Sequence, residues 1–236
     1  MTAQPLSSPT STRRTAAGGT SRDPVVRLLP WAGATYVLSW AAGLVVAPAA
    51  PSPDAPDAEI HAYYVGHAGA VLVQSLLVHG LAGIALVAMA VGMARAFRRD
   101  VLFAGWMRGT GLAAALVSFV QVALAVVACS DPGSLRASTS AALFTSINYA
   151  DILKLLLLAS FAATVTYAGS RTGVFPGWLR FLGRALPPLL VVGGLAFAVT
   201  NSVLYGVLEV SLVVLLVWAA GSSWVVGRRV PSRVGR

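Results

Sequence analysis

The sequence predicts an all-α fold: a polytopic membrane helix bundle of six transmembrane helices with both termini in the cytoplasm. Three observations carry that prediction. Hydrophobic residues make up 57% of the chain and charged residues only 11%, with a mean hydropathy of +0.77, outside the range of a soluble globular domain. The apolar residues also come in long runs, and the one from Ala68 to Arg99 meets no charge until Arg95. Rising about 1.5 Å per residue, a helix of roughly twenty-five residues crosses the roughly 30 Å hydrocarbon core of a bilayer. Third, when the runs are threaded alternately across a membrane, fifteen arginines fall on one side and Arg136 alone on the other. The positive-inside rule makes the arginine-rich side cytoplasmic.

The elements follow in order. Residues 1–26 are rich in Ser, Thr, Ala, Gly and Pro and carry Arg13, Arg14 and Arg22, which predicts a disordered basic cytoplasmic tail. A first span is expected at about 27–47, with Pro30 in its opening turns, where a missing N–H costs least. The same stretch resembles a signal peptide ending at Ala47-Pro48-Ala49, but the run is long for an h-region and Pro beside the cut is unfavourable. The loop after it is rich in Pro and Asp, and Ala58 to Val65 reads as a short interfacial helix anchored by Tyr63 and Tyr64. His61 and His67, six apart, fall on different helix faces, a poor metal pair, and no metal site is predicted.

The second span is expected at about 69–94 and the third at about 106–128. Gly105, Gly109 and Ala113 form a ridge of small residues that predicts close helix packing, either inside the bundle or between two copies. An outside loop is expected from Ser130 to Ser146, with Cys129 beside it and open to an impermeant thiol reagent. The fourth span follows at about 147–169. In Phe175 to Leu186, Trp178, Leu179, Leu182 and Leu186 share a face opposite Arg180 and Arg184, the pattern of a helix lying among headgroups. Pro187 and Pro188 would then kink or restart the chain into a short fifth span at about 184–200. A sixth span at about 203–226 leads to a basic cytoplasmic tail, residues 228–236.

The formal charge of +9 fits this topology better than nucleic-acid binding. The arginines read as anchors on a lipid bilayer with anionic headgroups at the cytoplasmic face. A lone cysteine forms no internal disulfide. The six-span ladder, AEIHAYYVGHAGAVLV at Ala58 to Val73 and FPGWLRFLGRAL at Phe175 to Leu186 resemble an uncharacterised family of six-helix bacterial integral membrane proteins, a domain of unknown function. The resemblance covers roughly Arg27 to Gly227 and implies fold and location only; it carries no catalytic residue to this chain.

Polar residues inside spans are costly and therefore the first places to look for function. They are Gln74 and His79 in the second span, Gln121 in the third, Asp151 and Lys154 in the fourth, and Glu209 in the sixth. All count to the outer half of the membrane, and matching depth allows a Lys154 to Glu209 ion pair between helices. Either these side chains line a cavity open to the outside, or they are structural: Asp151 and Lys154 sit three apart on one face, and glutamines hold helices together by hydrogen bonds. No HExxH or GxSxG motif is present, and His79 alone among the spans offers one haem ligand where two are normal, so no cofactor is expected. Three functions fit this pattern: a non-enzymatic accessory or sensory component acting on a membrane-protein partner or as a homo-oligomer, a small-solute or proton-coupled transporter, and a lipid-directed enzyme. The last requires Asp151, His79 and Glu209 to converge.

Overall fold

The structure is a computed structural model and describes residues 23–229. The expected disordered tail lies mostly outside the described residues, as does 230–236. Its last residues are ordered, however. Asp23 accepts a hydrogen bond from Val25 N–H at 2.9 Å and caps a single turn, α1 (Pro24–Arg27).

Among the described residues six helical segments are long and apolar enough to cross a membrane. They are α2 (Leu29–Val46); α3 (Asp57–Ser75), continued through a π turn at Leu76–Leu81 into α4 (Ala82–Ala96); α5 (Val101–Ser130); α6 (Ala137–Arg171); α7 (Gly177–Gly194), extended by a 3₁₀ turn to Phe197; and α8 (Ser202–Arg229). The spans form a closed ring in which α2 packs on α4, each following span packs on the next, and α8 returns to α2. Every apolar helix thereby has two protein neighbours and turns its remaining face outward, which is why large apolar side chains such as Leu38, Val101 and Val213 are exposed.

The ring closes on a core with Trp218 at its centre. Its indole N–H donates to Thr166 Oγ1 at 3.1 Å, and its ring meets Phe161 edge-on at 6.1 Å, so the polar end of a buried tryptophan is satisfied. Met89, Met93, Met107, Leu158 and Leu190 are buried in the same core. All the arginine clusters between Arg27 and Arg229 lie at one end of this ring, because successive spans alternate in direction.

Several elements depart from the sequence reading. The stretch at Ala58 to Val65 is no separate interfacial helix; it belongs to the opening turns of a forty-residue segment that bends at His67 (φ −133°, ψ 15°). Most of the expected outside loop, Ser130 to Ser146, is helix, because α6 begins at Ala137. These two extensions pack together: Ile60 and Tyr64 of α3, Ala128 and Cys129 of α5 and Phe144 of α6 make a small second core. Cys129 is buried there, not open as expected, because the α3 extension covers it.

The proline pair does not restart the chain either. Pro187 and Pro188 sit inside α7, so the fifth span already begins at Gly177 and the expected headgroup-level helix is its first half. Finally, the ridge at Gly105, Gly109 and Ala113 is not a packing surface within the bundle. A methyl group at Gly105 or Gly109 would touch nothing within 4 Å. The inward glycine of that helix is Gly111, where an added Cβ would lie 2.5 Å from the Ala90 methyl of α4.

Candidate functional site: a buried ion cluster under an aromatic cavity

Three helices bring together four of the six polar residues. His79 lies seventeen residues from the end of α4 at Ala96 and Lys154 seventeen from the end of α6 at Arg171, which puts both about 26 Å above the basic end. Gln121 reaches the same level from α5. At that level the Lys154 ammonium meets three acceptors: Asp151 Oδ1 at 2.5 Å, Gln121 Oε1 at 2.9 Å and His79 Nδ1 at 3.0 Å. An ammonium has three protons, so its donor capacity is used up. The Trp40 ring, 5.8 Å from Nζ, covers the remaining side.

Each partner is held in turn by local structure. Asp151 precedes Lys154 by three residues on one helix face, the spacing that lets the two side chains meet. Gln121 is fully buried and donates its amide N–H to the Ile147 carbonyl at 3.2 Å, which fixes its oxygen toward Lys154. His79 lies in the π turn, a local widening of the helix that recurs at functional sites. With Nδ1 accepting from an ammonium, the proton of the neutral ring sits on Nε2.

The cluster forms the floor of a cavity of about 260 Å³, just under the roughly 300–1,000 Å³ of typical small-molecule sites. Trp40, Tyr63, Tyr64, Phe144 and Phe197 make its aromatic walls, and Ala50 and Tyr63 mark the level of the loops opposite the basic end. His79 and Asp151 both face it; Lys154, only 3% exposed, does not line it. Gln74, Ser75 and Asn148 add to the polar lining. Among the described residues the hydroxyls of Ser75, Ser170 and Ser223 are buried without a hydrogen-bond partner, and of these only Ser75 lines the cavity, where it is an unsatisfied donor and acceptor.

Glu209 stands apart. It is exposed on the outer face of α8 beside exposed Val210 and makes no ion pair among the described residues. The Lys154 to Glu209 pair allowed by depth is therefore not formed: depth matches, but the two side chains point to opposite sides of the ring wall. His61 and His67 also stay outside the cluster, the first 3.1 Å from Ser140 Oγ and the second 3.1 Å from the Tyr63 carbonyl. Among the described residues no group of three or more His, Cys, Asp or Glu is placed to hold a metal ion. Sequence reasoning missed Trp40, Tyr64, Ser75 and Phe144, which look like any other interfacial or packing residue until the helices are assembled.

Fold and site together define a multi-pass, all-α membrane bundle with an ion cluster under an aromatic cavity. Compared with protein-family models, with curated proteins and with solved structures, the chain matches none. The resemblance to an uncharacterised six-helix family gains no support from those comparisons, and what stands is the coarser description, a polytopic bundle of six long apolar helices.

Proposed function

We propose that this chain is a non-enzymatic sensory or accessory component of a cell membrane, with its basic end cytoplasmic, that recognises a small amphipathic molecule in the aromatic cavity. The observation that carries the proposal is the unpartnered Ser75 hydroxyl beside the His79 and Asp151 floor. A guest with an apolar body would fill the walls, and a head group with both a donor and an acceptor would pair with the Asp151 carboxylate, the His79 Nε2 proton and Ser75. Recognition fits the cluster better than catalysis. Lys154 has no free proton to give, and Glu209, which the enzyme reading needed beside His79 and Asp151, faces outward. It also fits better than passage, because Phe161, Trp218, Met89 and Leu158, all nearer the basic end than the cluster, are buried in one apolar core.

The test is thermal unfolding of the full-length protein in lipid nanodiscs against a panel of small aromatic amides, alcohols, acids and amines, beside the variant Ser75→Leu. Stabilisation by one chemical class, lost in Ser75→Leu, supports the reading. No stabilisation by any class, or one that Ser75→Leu leaves unchanged, overturns it. Uptake of the stabilising compound into proteoliposomes would move the chain to the transport class.

A further inference from the structure

A second site lies at the other end of the ring, outside the bundle. Across the last turns of α8, between its neighbours α2 and α7, runs an apolar groove of about 440 Å³ lined by Pro30, Trp31, Ala34, Trp178, Gly221 and Trp224. Its three tryptophans are 74%, 51% and 51% exposed. Gly221 lets the Trp178 ring lie down in the groove, since a Cβ there would come within 2.6 Å of it. In a membrane span, a face this apolar is covered by lipid.

Charge marks which lipid. The Arg228 guanidinium stacks 3.8 Å over the Trp224 ring, which holds it at the groove's end. Gly227 packs against Pro30, where an added Cβ would lie 2.5 Å from the ring, so the last turn of α8 touches the start of α2. Arg27, exposed and four residues before Trp31, sits at that junction. Among the described residues the ion pairs are Arg95 with Asp23, Lys154 with Asp151 and Arg171 with Asp100; neither Arg27 nor Arg228 meets a carboxylate. The Arg228 guanidinium at the polar end of an aromatic trough, with exposed Arg27 on the adjoining turn of α1, matches a phosphate with an acyl chain below it. A zwitterionic headgroup would bring its own ammonium against them, whereas an anionic one adds no opposing cation.

We propose that this groove is a binding site for one anionic glycerophospholipid, with an acyl chain along Trp31, Trp178 and Trp224 and the phosphate between Arg27 and Arg228. The test is native mass spectrometry of the full-length protein with phosphatidylglycerol and phosphatidylcholine, for wild type, the double variant Arg27→Gln/Arg228→Gln and the control Arg99→Gln/Arg108→Gln. The expected result is preferential retention of phosphatidylglycerol, reduced at least about tenfold in the first variant and kept in the control. Equal retention of the two lipids by the wild type overturns the proposal, as does an equal loss in both variants, which would mark a diffuse charge effect. Should the double variant not fold, quenching of wild-type tryptophan fluorescence by brominated lipids decides: stronger quenching by brominated phosphatidylglycerol supports the site, equal quenching overturns it.

Discussion

Replacing Lys154 by Met keeps most of the length and the apolar character of the stem and removes the ammonium, with its charge and three protons. Three acceptors then lose their donor at once: Asp151 Oδ1, Gln121 Oε1 and His79 Nδ1. Breaking a buried ion pair from one side costs about 3–5 kcal/mol because the other charge stays behind unpaired. The two neutral acceptors add less, since interhelical hydrogen bonds in membrane proteins average about 0.6 kcal/mol. Asp151 keeps a 13% exposed side chain at the cavity floor, so water relieves part of its charge, and the expected net loss is about 3–4 kcal/mol. Removing both charges in Lys154→Met/Asp151→Leu leaves no orphan ion, and stability should return to within about 1–2 kcal/mol of wild type. The assay is unfolding in mixed micelles of rising sodium dodecyl sulfate fraction, followed by helical circular dichroism and run as a double-mutant cycle with Asp151→Leu. A Lys154→Met variant within about 1 kcal/mol of wild type, or a double variant as damaged as the two single losses added, would refute the cluster as a coupled unit.

The packing assignments make a sharper contrast within one helix. Gly111→Leu should destabilise the bundle by about 1–3 kcal/mol in the same assay, because the new side chain meets Ala90 and Phe161, while Gly109→Leu, facing open space, should stay within about 0.5 kcal/mol. Cysteine labelling separates burial from topology: native Cys129 should resist an impermeant maleimide in intact cells until the protein is unfolded, whereas Ser134→Cys in a Cys129→Ala background should react at once. Reaction of Ser134→Cys only after the membrane is opened would reverse the proposed orientation. The loop before α3 is tied to the turn before α8 by Ser52, whose hydroxyl bonds the Asp54 carboxylate and lies 3.2 Å from Thr200 Oγ1. Those hydroxyls, Ser52 first, hold the Asp54 carboxyl below its usual value. A depressed carboxylate contributes its stabilisation above the ordinary carboxylate range and loses it as pH falls through the lower folded value. Protection from hydrogen exchange of the Ala55 amide, which donates to the Ser52 carbonyl at 3.0 Å, should therefore persist through the ordinary range after correction for intrinsic rates and fall only below it, and Asp54→Asn should abolish that pH dependence.

What the sequence by itself determined is the axial description: a membrane protein, six spans, and the depth of each charged or polar residue along its helix. Hydropathy and a fixed rise per residue suffice for that, since both act on each helix separately. Lys154, Asp151, Gln121 and His79 were legible as costly polar residues at related depths for this reason. The boundaries were less legible, because nothing local tells α6 to begin at Ala137 or the chain to run helical from Asp57 into the membrane; those extensions exist because they bury Ile60, Tyr64, Cys129 and Phe144 against one another. Likewise Pro187 and Pro188 look like a break, yet neighbouring helices hold α7 through them. Only the tertiary structure decided rotation about each axis. Glu209 and Asp151 were both candidates to pair with Lys154, and the ridge holding Gly109 was expected to face a neighbour where Gly111 does, because a helix that is apolar all round has no preferred face of its own. Its setting is chosen by the side chains it meets: Asp151 and Gly111 turn inward where Lys154 and Ala90 wait for them, and Glu209 and Gly109 turn out to the lipid.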